Sequence, residues 1–519
     1  MKKRSWLLWL PGVFLGYLGL LALLAAVEKG HPDASIQSFG DALWYSIVTL
    51  STVGYGDLYP VTAAGKLIGI LFVLLSVGAL AFLVGAAVNF FTGQMVPRLQ
   101  LWLLRRKKWF VFSQMNDASL ALARSLEGEN GVLLFPQEAR AQGPEDLQLC
   151  YYPGSMASIL KGKAQDCALF FLDEESSNNY AQALAALPKG YPVYCRTEQA
   201  PDCCPEGLTL FDRYDCCARD YWRRHPLTSG ENRLVFIGDG HYAWDLLEQG
   251  LVVNVFGQER PITYHAFGNW EEFRRCHPQL GMTVAVNEEK LGQDGLYFAC
   301  ENWDSDGSIL ENAHRIIICG DDEGENLAIL RKLRRYFPVG GVVHLRNKTD
   351  VPGEVVFGMD QTVFTAENVM ASRLMEMART MHSIYREATG GKAPLWRELD
   401  GFTQRSNMAA ADHLPVKIRL LLEAEDITEI TAEHCIKAYT AFASQEDRIR
   451  FRRIEHLRWM RFLSLNNWRW GEKRDNALRI HPMLAPFEDL SLEEQAKDDY
   501  AWQLLGAIAQ KLEENKEDI

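Results

Sequence analysis

Two long apolar segments, with a shorter one between them, dominate roughly the first ninety residues. The segment 6–27 has about 22 residues and no charge, and the segment 66–91 has no charged residue after Lys66. At about 1.5 Å of rise per residue, each is long enough to cross a bilayer as a helix. The segment 39–50 is apolar but has only about 12 residues, too few to span. The pattern predicts an all-α membrane domain with two spanning helices and a re-entrant helix between them.

From residue 109 onward, short apolar runs alternate with amphipathic stretches, and the arrangement occurs twice. One copy opens with the run 109–113 and the other with 233–238. Their later parts, 164–197 and 313–349, also correspond: each reads as a strand, an acidic turn, a helix start with an asparagine, and a strand ending near an arginine. Strands that alternate with helices are typical of parallel, doubly wound sheets. We predict two α/β lobes of the Rossmann type.

The hexapeptide 52–57, TVGYGD, follows the short apolar segment. A K⁺ ion that sheds its water needs a cage of oxygens, which backbone carbonyls from four such loops supply. All the carbonyls point inward only if the backbone alternates in handedness, which Gly54 and Gly56 allow without a Cβ clash. We predict a potassium selectivity filter made of Thr52, Val53, Gly54, Tyr55, Gly56 and Asp57, with K⁺ at the first four.

Residues 38–57 resemble the pore of the two-transmembrane potassium channel superfamily. Pore helices of this type read ALWWSVVTLTTVGYGD, and this chain reads ALWYSIVTLSTVGYGD. The resemblance implies a homotetramer, because one pore loop cannot enclose a conduit. Val48 stands where some relatives carry an acidic residue, which leaves inactivation open. Gly78, mid-way along the second span, is the candidate gating hinge, with close packing of small residues as the alternative.

Basic residues flank the membrane segments on one side. The positive-inside rule therefore places both termini in the cytoplasm and the 28–41 turret outside, as in a multi-pass protein of a bacterial inner membrane. A cleaved secretory signal is the alternative, but the apolar run is long for a signal core and a second span follows. The basic residues are Lys2, Lys3 and Arg4, then Arg98, Arg105, Arg106, Lys107 and Lys108.

Composition excludes some classes of function. The net charge of −13 argues against nucleic acid as a partner. Eleven cysteines all follow residue 149, in what should be reducing cytoplasm, so disulfides are not expected. The vicinal pairs Cys203-Cys204 and Cys216-Cys217 have a spacing that fits no common zinc motif, and their role stays open. No nucleophile–base arrangement stands out, so we do not predict an enzyme.

Two Rossmann-like lobes directly after a pore resemble regulator-of-K⁺-conductance (RCK) domains. Their phosphate loops are weak: Gly238-Asp239-Gly240 gives two glycines of G-x-G-x-x-G, but Ala243 stands at the third position, and 113–116 has no glycine. An acidic ribose ligand is missing after the second strand, so NAD is not expected. The Gly238 loop is left as either a nucleotide site or a structural turn. Five carboxylates at strand ends could bind Ca²⁺, although solvated turns are favoured: Asp173, Glu174, Asp321, Asp322 and Glu323.

The last part of the chain has an unusual motif, NWRWGxxRD followed by HPxLxPFxxL, at 467–490. It resembles the repeat domain first seen in ryanodine receptors (RyR domain). The flat rings and guanidinium groups there suit a stacked base and its phosphates. The alternative is a small helical domain with tryptophans in its core and arginines paired with Asp475 and Asp489. The candidate ligand residues are Trp468, Trp470, Arg469, Arg474 and His456. We rank Trp470 and Arg474 first, and for His456 a structural hydrogen-bonding role is favoured over a catalytic one.

The predicted architecture is therefore multidomain. A K⁺-selective channel in the lipid bilayer would be gated by a small cytoplasmic ligand, with a nucleotide or cyclic dinucleotide favoured. Alternatives are a non-conducting ligand sensor, a Ca²⁺-gated channel and an NAD-dependent enzyme tethered to a pore. The predicted divisions are 1–98 pore domain, 99–107 linker, 108–226 first lobe, 232–351 second lobe, 352–439 helical connector, 440–510 RyR-like domain and 511–519 acidic tail.

Overall fold

The computed structural model describes residues 10–91, 95–160, 166–198, 205–299, 301–424, 427, 430–444 and 448–517. Cys203 and Cys204, singled out in the sequence, lie outside these residues. The chain divides into two compact units, Met1–Arg105 and Arg106–Ile519.

The first unit is helical, as its apolar pattern predicts. Among the described residues, the stretch Ala63–Val88 is long and apolar enough to cross a membrane, and Leu15–Glu28 is a shorter apolar helix. The first predicted span begins at residues outside the described part. The helices are α1 (Leu10–Glu28), α2 (Phe39–Leu50), α3 (Ala63–Phe90) and α4 (Val96–Leu103).

Local signals fix where these helices begin. Ser38 caps α2, and its partner in the capping box is Asp41. The buried Glu28 carboxylate, at the end of α1, accepts hydrogen bonds from the backbone N–H groups of Val61 and Thr62, each at 3.0 Å. Because those N–H groups lie at the start of α3, Glu28 joins the end of one helix to the beginning of the other.

The first lobe is a six-stranded sheet in which every pair of neighbouring strands is parallel. The strand order is β3-β2-β1-β4-β5-β6. This is the doubly wound order, in which β2 and β3 are added on one side of β1, and β4, β5 and β6 on the other side. Its strands are β1 (Lys108–Phe112), β2 (Gly131–Pro136), β3 (Leu149–Tyr152), β4 (Cys167–Phe171), β5 (Val193–Arg196) and β6 (Leu208–Phe211). Its helices are α5 (Asp117–Ser125), α6 (Met156–Ile159), α7 (Ser176–Ala186) and α8 (Arg213–Arg224).

The second lobe repeats this order, with one short strand added at an edge. Its strand order is β13-β12-β11-β7-β8-β10-β9, and all neighbouring strands are again parallel. The two halves of this sheet therefore meet between β7 and β11. Its strands are β7 (Arg233–Ile237), β8 (Thr263–Phe267), β9 (Ala285–Val286), β10 (Gly295–Phe298), β11 (Arg315–Ile318), β12 (Val342–Arg346) and β13 (Val355–Phe357). Its helices are α9 (His241–Val253), α10 (Glu271–Cys276), α11 (Gly307–Glu311) and α12 (Glu323–Tyr336). The two predicted doubly wound lobes are thus confirmed as parallel α/β sheets.

The lobes pack on each other through α8 and α9. The approach is close at Gly250, where an added Cβ would lie 2.6 Å from the Trp222 ring, and Trp222 donates a hydrogen bond to the Leu246 carbonyl. The α8 helix also buries Cys216 and Cys217. Burial raises the pKa of both thiols, that of Cys217 to about 12, so these cysteines are unreactive core residues.

The rest of the chain is mainly helical. Its elements are α13 (Asp360–Val363), α14 (Ala366–Met370), α15 (Ser372–Ala388), α16 (Gly401–Asp412), α17 (Leu414–Leu422), α18 (Ala432–Ser444), α19 (Ile449–Leu465), β14 (Arg469–Trp470), β15 (Ile480–His481), α20 (Leu492–Lys497) and α21 (Tyr500–Glu517). The helical periodicity over 369–388 predicts one helix, but Ala371 has a left-handed backbone (φ 45°) and separates α14 from α15.

Candidate pore and ligand sites

The backbone of the hexapeptide alternates in handedness, as a filter requires. Thr52, Gly54 and Gly56 have φ angles of 60°, 60° and 74°. Two of these three left-handed positions are glycines, which take such angles at no steric cost, while Thr52 is strained. The glycines predicted to permit the alternation are therefore the ones that have it.

The helix α2 holds this loop in place. The N–H groups of Val53 and Gly54 both donate to the Val48 carbonyl, at 3.1 and 3.2 Å, so the first turn of the loop continues from the end of the helix. At the other end, the Trp44 indole N–H donates to Asp57 at 2.8 Å, and the Trp44 ring stacks on Tyr55 at 6.3 Å. Tyr55 remains 68% exposed within the single chain.

The surroundings of Tyr45 and of two glycines of α3 differ. Tyr45, next to Trp44 in α2, packs edge-on against Phe72 of α3, with ring centres 6.3 Å apart. A Cβ on Gly69 would lie 2.8 Å from the Tyr45 hydroxyl, so Gly69 is a packing glycine. A Cβ on Gly78 would meet no atom within 4 Å, so packing within the chain does not require that glycine.

In the first lobe, a side chain fills the position of a phosphate loop. Asn116 caps α5 by accepting from the Ser119 N–H at 2.8 Å, and its amide donates to the Leu172 carbonyl beyond β4 at 2.8 Å. The turn between β1 and α5 is thereby tied to the end of β4, at the point where a doubly wound sheet binds its ligand.

In the second lobe, a carboxylate occupies the corresponding place. Gly238 and Gly240 have φ angles of 124° and 92°, so the turn has the glycine geometry of a phosphate loop. However, Asp321, beyond β11, accepts from the N–H groups of His241 and Tyr242 at 3.1 and 3.0 Å. These are the first N–H groups of α9, which a bound phosphate would use. Sequence reasoning missed this contact because Asp321 lies about 80 residues from the turn.

Three other carboxylates near strand ends have structural partners. Asp239 accepts from the Asn269 N–H at 2.7 Å, Asp322 caps α12 through the Glu325 N–H at 2.7 Å, and Glu323 lies 3.4 Å from Arg346. Within the described residues, no group of three or more His, Cys, Asp or Glu side chains has the geometry of a metal site.

The candidate ligand residues near the C-terminus do not share one surface. Trp468 is 5% exposed and stacks on Phe402 at 5.2 Å, so it is a core residue. His456 is also buried, and its Nε2 lies 3.0 Å from the Ala485 carbonyl. Arg469 and Arg474 are exposed, with Arg474 donating to Asn476 at 2.9 Å.

Trp470 is 56% exposed and forms a wall of a pocket of about 490 Å³. The opposite walls come from the proline-rich segment of the RyR-like motif and from the start of α20. The half-buried His481 directly precedes Pro482 of this pocket in the chain, and the Arg474 charge acts on its ring. Burial, followed by the Arg474 charge, lowers the pKa of His481 to about 4, so that ring is neutral at physiological pH. The lining residues are Trp470, Pro482, Met483, Leu484, Ala485, Pro486, Asp489, Leu490, Ser491 and Glu494.

The helix α19 connects this pocket to the second lobe. His456 contacts Ala485 in the pocket wall, whereas Arg461, fully buried, donates to Asp294 at 2.6 Å and to the Leu251 and Thr283 carbonyls at 3.2 and 3.1 Å. The pocket therefore adjoins a helix that is anchored in the lobe by a buried ion pair. No pattern in the sequence predicts this pair, since its partners are far apart in the chain.

Comparison with known proteins finds relatives of the first unit. The family described as "Ion channel" matches residues 12–93, and a voltage-gated potassium channel of Aeropyrum pernix is 49% identical over 65 residues. The N-terminal part of this chain is thus similar to a family of ion channels and to potassium channels. This similarity agrees with the resemblance of residues 38–57 to potassium-channel pores.

The matches cover the pore and little more. The Aeropyrum alignment takes in 12% of this chain and 22% of that channel. A human potassium voltage-gated channel, subfamily A member 4, is 37% identical over 157 residues, which are 26% of this chain and 23% of the relative. The chain thus spans less than a quarter of the length of these curated relatives.

Solved structures of the GsuK channel align over a larger part of the chain. The crystal structure of a GsuK mutant covers 72% of this chain and 99% of its own at 14% identity, with a TM-score of 0.31. GsuK bound to ADP covers the same shares of both chains at 15% identity, with a TM-score of 0.30. Similarity at this level supports no conclusion about ligands of this chain.

Proposed function

We propose that this chain forms a homotetrameric, K⁺-selective channel of a bacterial inner membrane, gated by a small cytoplasmic ligand. The observation that carries the proposal is the TVGYGD loop, whose left-handed residues alternate from Thr52 to Gly56 and which α2 and Trp44 hold at both ends. Four such loops around an axis present carbonyl rings of the kind that replace the hydration shell of K⁺. One chain supplies one loop, so four copies are required.

The cytoplasmic lobes supply the gating force in this proposal. Four chains with two RCK-like lobes each would place eight lobes below the pore, joined to α3 through 95–108. A ligand shifts the gate only by binding one state more tightly than the other. Gly78 is the proposed hinge of α3: it lies mid-helix, and its Cβ position is open within the chain.

The pocket beside Trp470 is the proposed ligand site, and a nucleotide or cyclic dinucleotide is the proposed ligand. An exposed indole offers a face for a base, and Arg474, four positions after Trp470 in the chain, suits a phosphate. Asp489 and Glu494 in the lining offer acceptors for amino groups of a base. The Gly238 loop is the weaker candidate, because Asp321 already satisfies the N–H groups that a phosphate would need.

Flux through liposomes tests the channel. The full-length protein should pass K⁺ well over Na⁺, with the cytoplasmic ligand changing the K⁺ rate. Equal passage of K⁺ and Na⁺ contradicts the proposal. No passage under any ligand favours a non-conducting sensor, and activation that EGTA abolishes favours Ca²⁺ gating.

A thermal-shift screen of the full-length protein tests the ligand class. At a concentration 100 times its Kd, a ligand that binds only the folded state stabilises it by about 2.7 kcal/mol, which is readily visible. The screen compares mononucleotides, cyclic dinucleotides, NAD and Ca²⁺. A shift with NAD alone would contradict the assignment to the Trp470 pocket.

A further inference from the structure

The helix α4, which follows the long apolar helix α3 along the chain, exposes an apolar surface. Leu99, Trp102 and Leu103 are 58%, 56% and 65% exposed, while Pro97 and Leu101 of the same helix are buried. Large apolar side chains at this density are unusual on a surface that faces water. A helix that begins so soon after a membrane span is close to the bilayer surface, where such side chains insert among the lipids.

The charges around α4 are all of one sign. No acidic residue occurs between Asp57 and Asp117, whereas Arg98, Arg105, Arg106, Lys107 and Lys108 fall within eleven positions. Lys108 is paired with Glu129 at 3.2 Å, and the other four basic residues precede the lobe. The Arg105 guanidinium lies over the Trp102 ring, 5.1 Å from its centre. Indole and guanidinium together are the side chains that anchor helices at the level of lipid headgroups.

We propose that α4 is an interfacial helix that binds the anionic phospholipids of the inner leaflet. Trp102, Leu99 and Leu103 would enter the outer part of the acyl layer, and Arg98, Arg105 and Arg106 would bind headgroup phosphates. The occupant is a lipid surface rather than a protein because α4 begins six positions after the end of the long apolar helix α3 and the charges around it are positive alone.

A consequence follows for gating, and it rests on the proposed channel function. The segment 95–108 joins the pore to the first lobe, so lipids bound to α4 would hold the same segment that transmits force from the lobes. The content of anionic lipid in the membrane would then set how much ligand is needed to move the gate.

Quenching of Trp102 fluorescence by brominated lipids tests the lipid site without any need for ion flux. The full-length protein is placed in vesicles of phosphatidylcholine with either brominated phosphatidylglycerol or brominated phosphatidylcholine. The Trp102 signal is the difference between the wild-type protein and Trp102→Phe. We expect brominated phosphatidylglycerol to quench this signal at least twice as strongly, and the triple variant Arg98→Gln, Arg105→Gln, Arg106→Gln to lose the excess.

A control variant removes the same charge elsewhere: Arg274→Gln, Arg331→Gln, Arg335→Gln lies on exposed positions of the second lobe and should keep the excess. Equal quenching by the two lipids would overturn the proposal, as would no quenching by either, the result expected if a second copy of the chain covers α4. Should Trp102→Phe fail to fold, native mass spectrometry replaces it: the wild-type protein should retain more phosphatidylglycerol than the triple variant, and equal retention would overturn the proposal.

Discussion

Asn179 and Asn326, 147 positions apart, make the same three hydrogen bonds in the two lobes. Each side-chain oxygen accepts from one backbone N–H, that of Asp173 beyond β4 at 2.8 Å or that of Gly320 beyond β11 at 3.0 Å. Each amide then donates to the carbonyl of that same residue and to the carbonyl of the arginine that ends the neighbouring strand, Arg196 of β5 or Arg346 of β12. The asparagine is thus a clamp between two parallel strands, and its recurrence shows that the internal repeat extends to individual hydrogen bonds.

Replacement of Asn326 by Ala should loosen the second lobe at this clamp. The change leaves buried backbone groups without partners, and each such group costs about 1–3 kcal/mol. Hydrogen exchange of the amides around Gly320 and Arg346 should accelerate, with the other ends of β11 and β12 less affected. Asn312→Ala is the matched control, because its amide is exposed and donates to the Ser308 carbonyl of its own helical turn. Unchanged exchange at the clamp would contradict the assignment.

Gly54→Ala or Gly56→Ala should abolish K⁺ flux. Both glycines have left-handed φ angles of 60° and 74°, and a Cβ there costs roughly 1–2 kcal/mol per residue even where the space around it is open. Each change enters the filter four times in the proposed tetramer. Gly190→Ala, also at a left-handed position (φ 75°) but in the first lobe, should conduct normally. Retained flux in either filter variant would rule out the loop as the path of the ion.

The sequence was sufficient for features that depend on local pattern. The helix over 39–50, the two doubly wound lobes and the glycines at left-handed positions all follow from periodicity, repetition and backbone sterics. The sequence was insufficient where contacts between residues far apart in the chain determine the structure. The carboxylate of Asp321 at the start of α9 and the ion pair of Arg461 with Asp294 join residues about 80 and 167 positions apart. Trp468 and Trp470 look alike in sequence, and only the fold buries one and exposes the other.

Asp321→Ala should open the second lobe to phosphate. In the native chain the carboxylate accepts from two N–H groups at the start of α9, which favour negative charge there. Without it, those groups are available to an anion, and inorganic phosphate should stabilise the variant but not the wild-type protein in a thermal-shift experiment. Asp322→Ala, which removes the same charge from the cap of α12, should gain no such binding. Binding of phosphate to this loop in the wild-type protein would show that Asp321 does not block it.

Asp212→Asn should stabilise the protein at neutral pH and reduce its pH dependence. Burial, with the Asp215 and Glu198 charges, raises the pKa of the Asp212 carboxyl to about 6 from its usual 3.8. Because the folded state holds this proton more tightly, the carboxyl stabilises the fold most below pH 3.8, and that contribution is lost as the pH rises to about 6. At about 1.4 kcal/mol per pKa unit, the loss is of the order of 1–3 kcal/mol.

Asparagine keeps the cap of α8 without a charge, so thermal melting at pH 7 should occur at a higher temperature in Asp212→Asn than in the wild-type protein. The two should converge near pH 4. Asp400→Asn, at the exposed cap of α16, controls for the substitution itself. A variant that melts below the wild-type protein at pH 7 would mean that the ionised carboxylate is favourable at the start of α8.

Trp470→Ala and Trp468→Ala should separate ligand binding from folding. Trp470 is exposed at the pocket and supports little of the core, so its loss should leave the melting temperature nearly unchanged but raise the Kd of the ligand tenfold or more, since loss of a stacking ring costs about 1–3 kcal/mol. Trp468 packs on Phe402 in the core, and its replacement should lower stability by about 3–5 kcal/mol.

Arg474→Ala should weaken binding of phosphorylated ligands more than of the unphosphorylated nucleoside, because a guanidinium binds phosphate and not the base. Isothermal titration of the full-length protein with the ligand found in the screen measures the Kd of the three variants Trp470→Ala, Trp468→Ala and Arg474→Ala. If Trp470→Ala and Arg474→Ala both fold and bind as the wild-type protein does, the pocket is not the site, and the Gly238 loop becomes the next candidate.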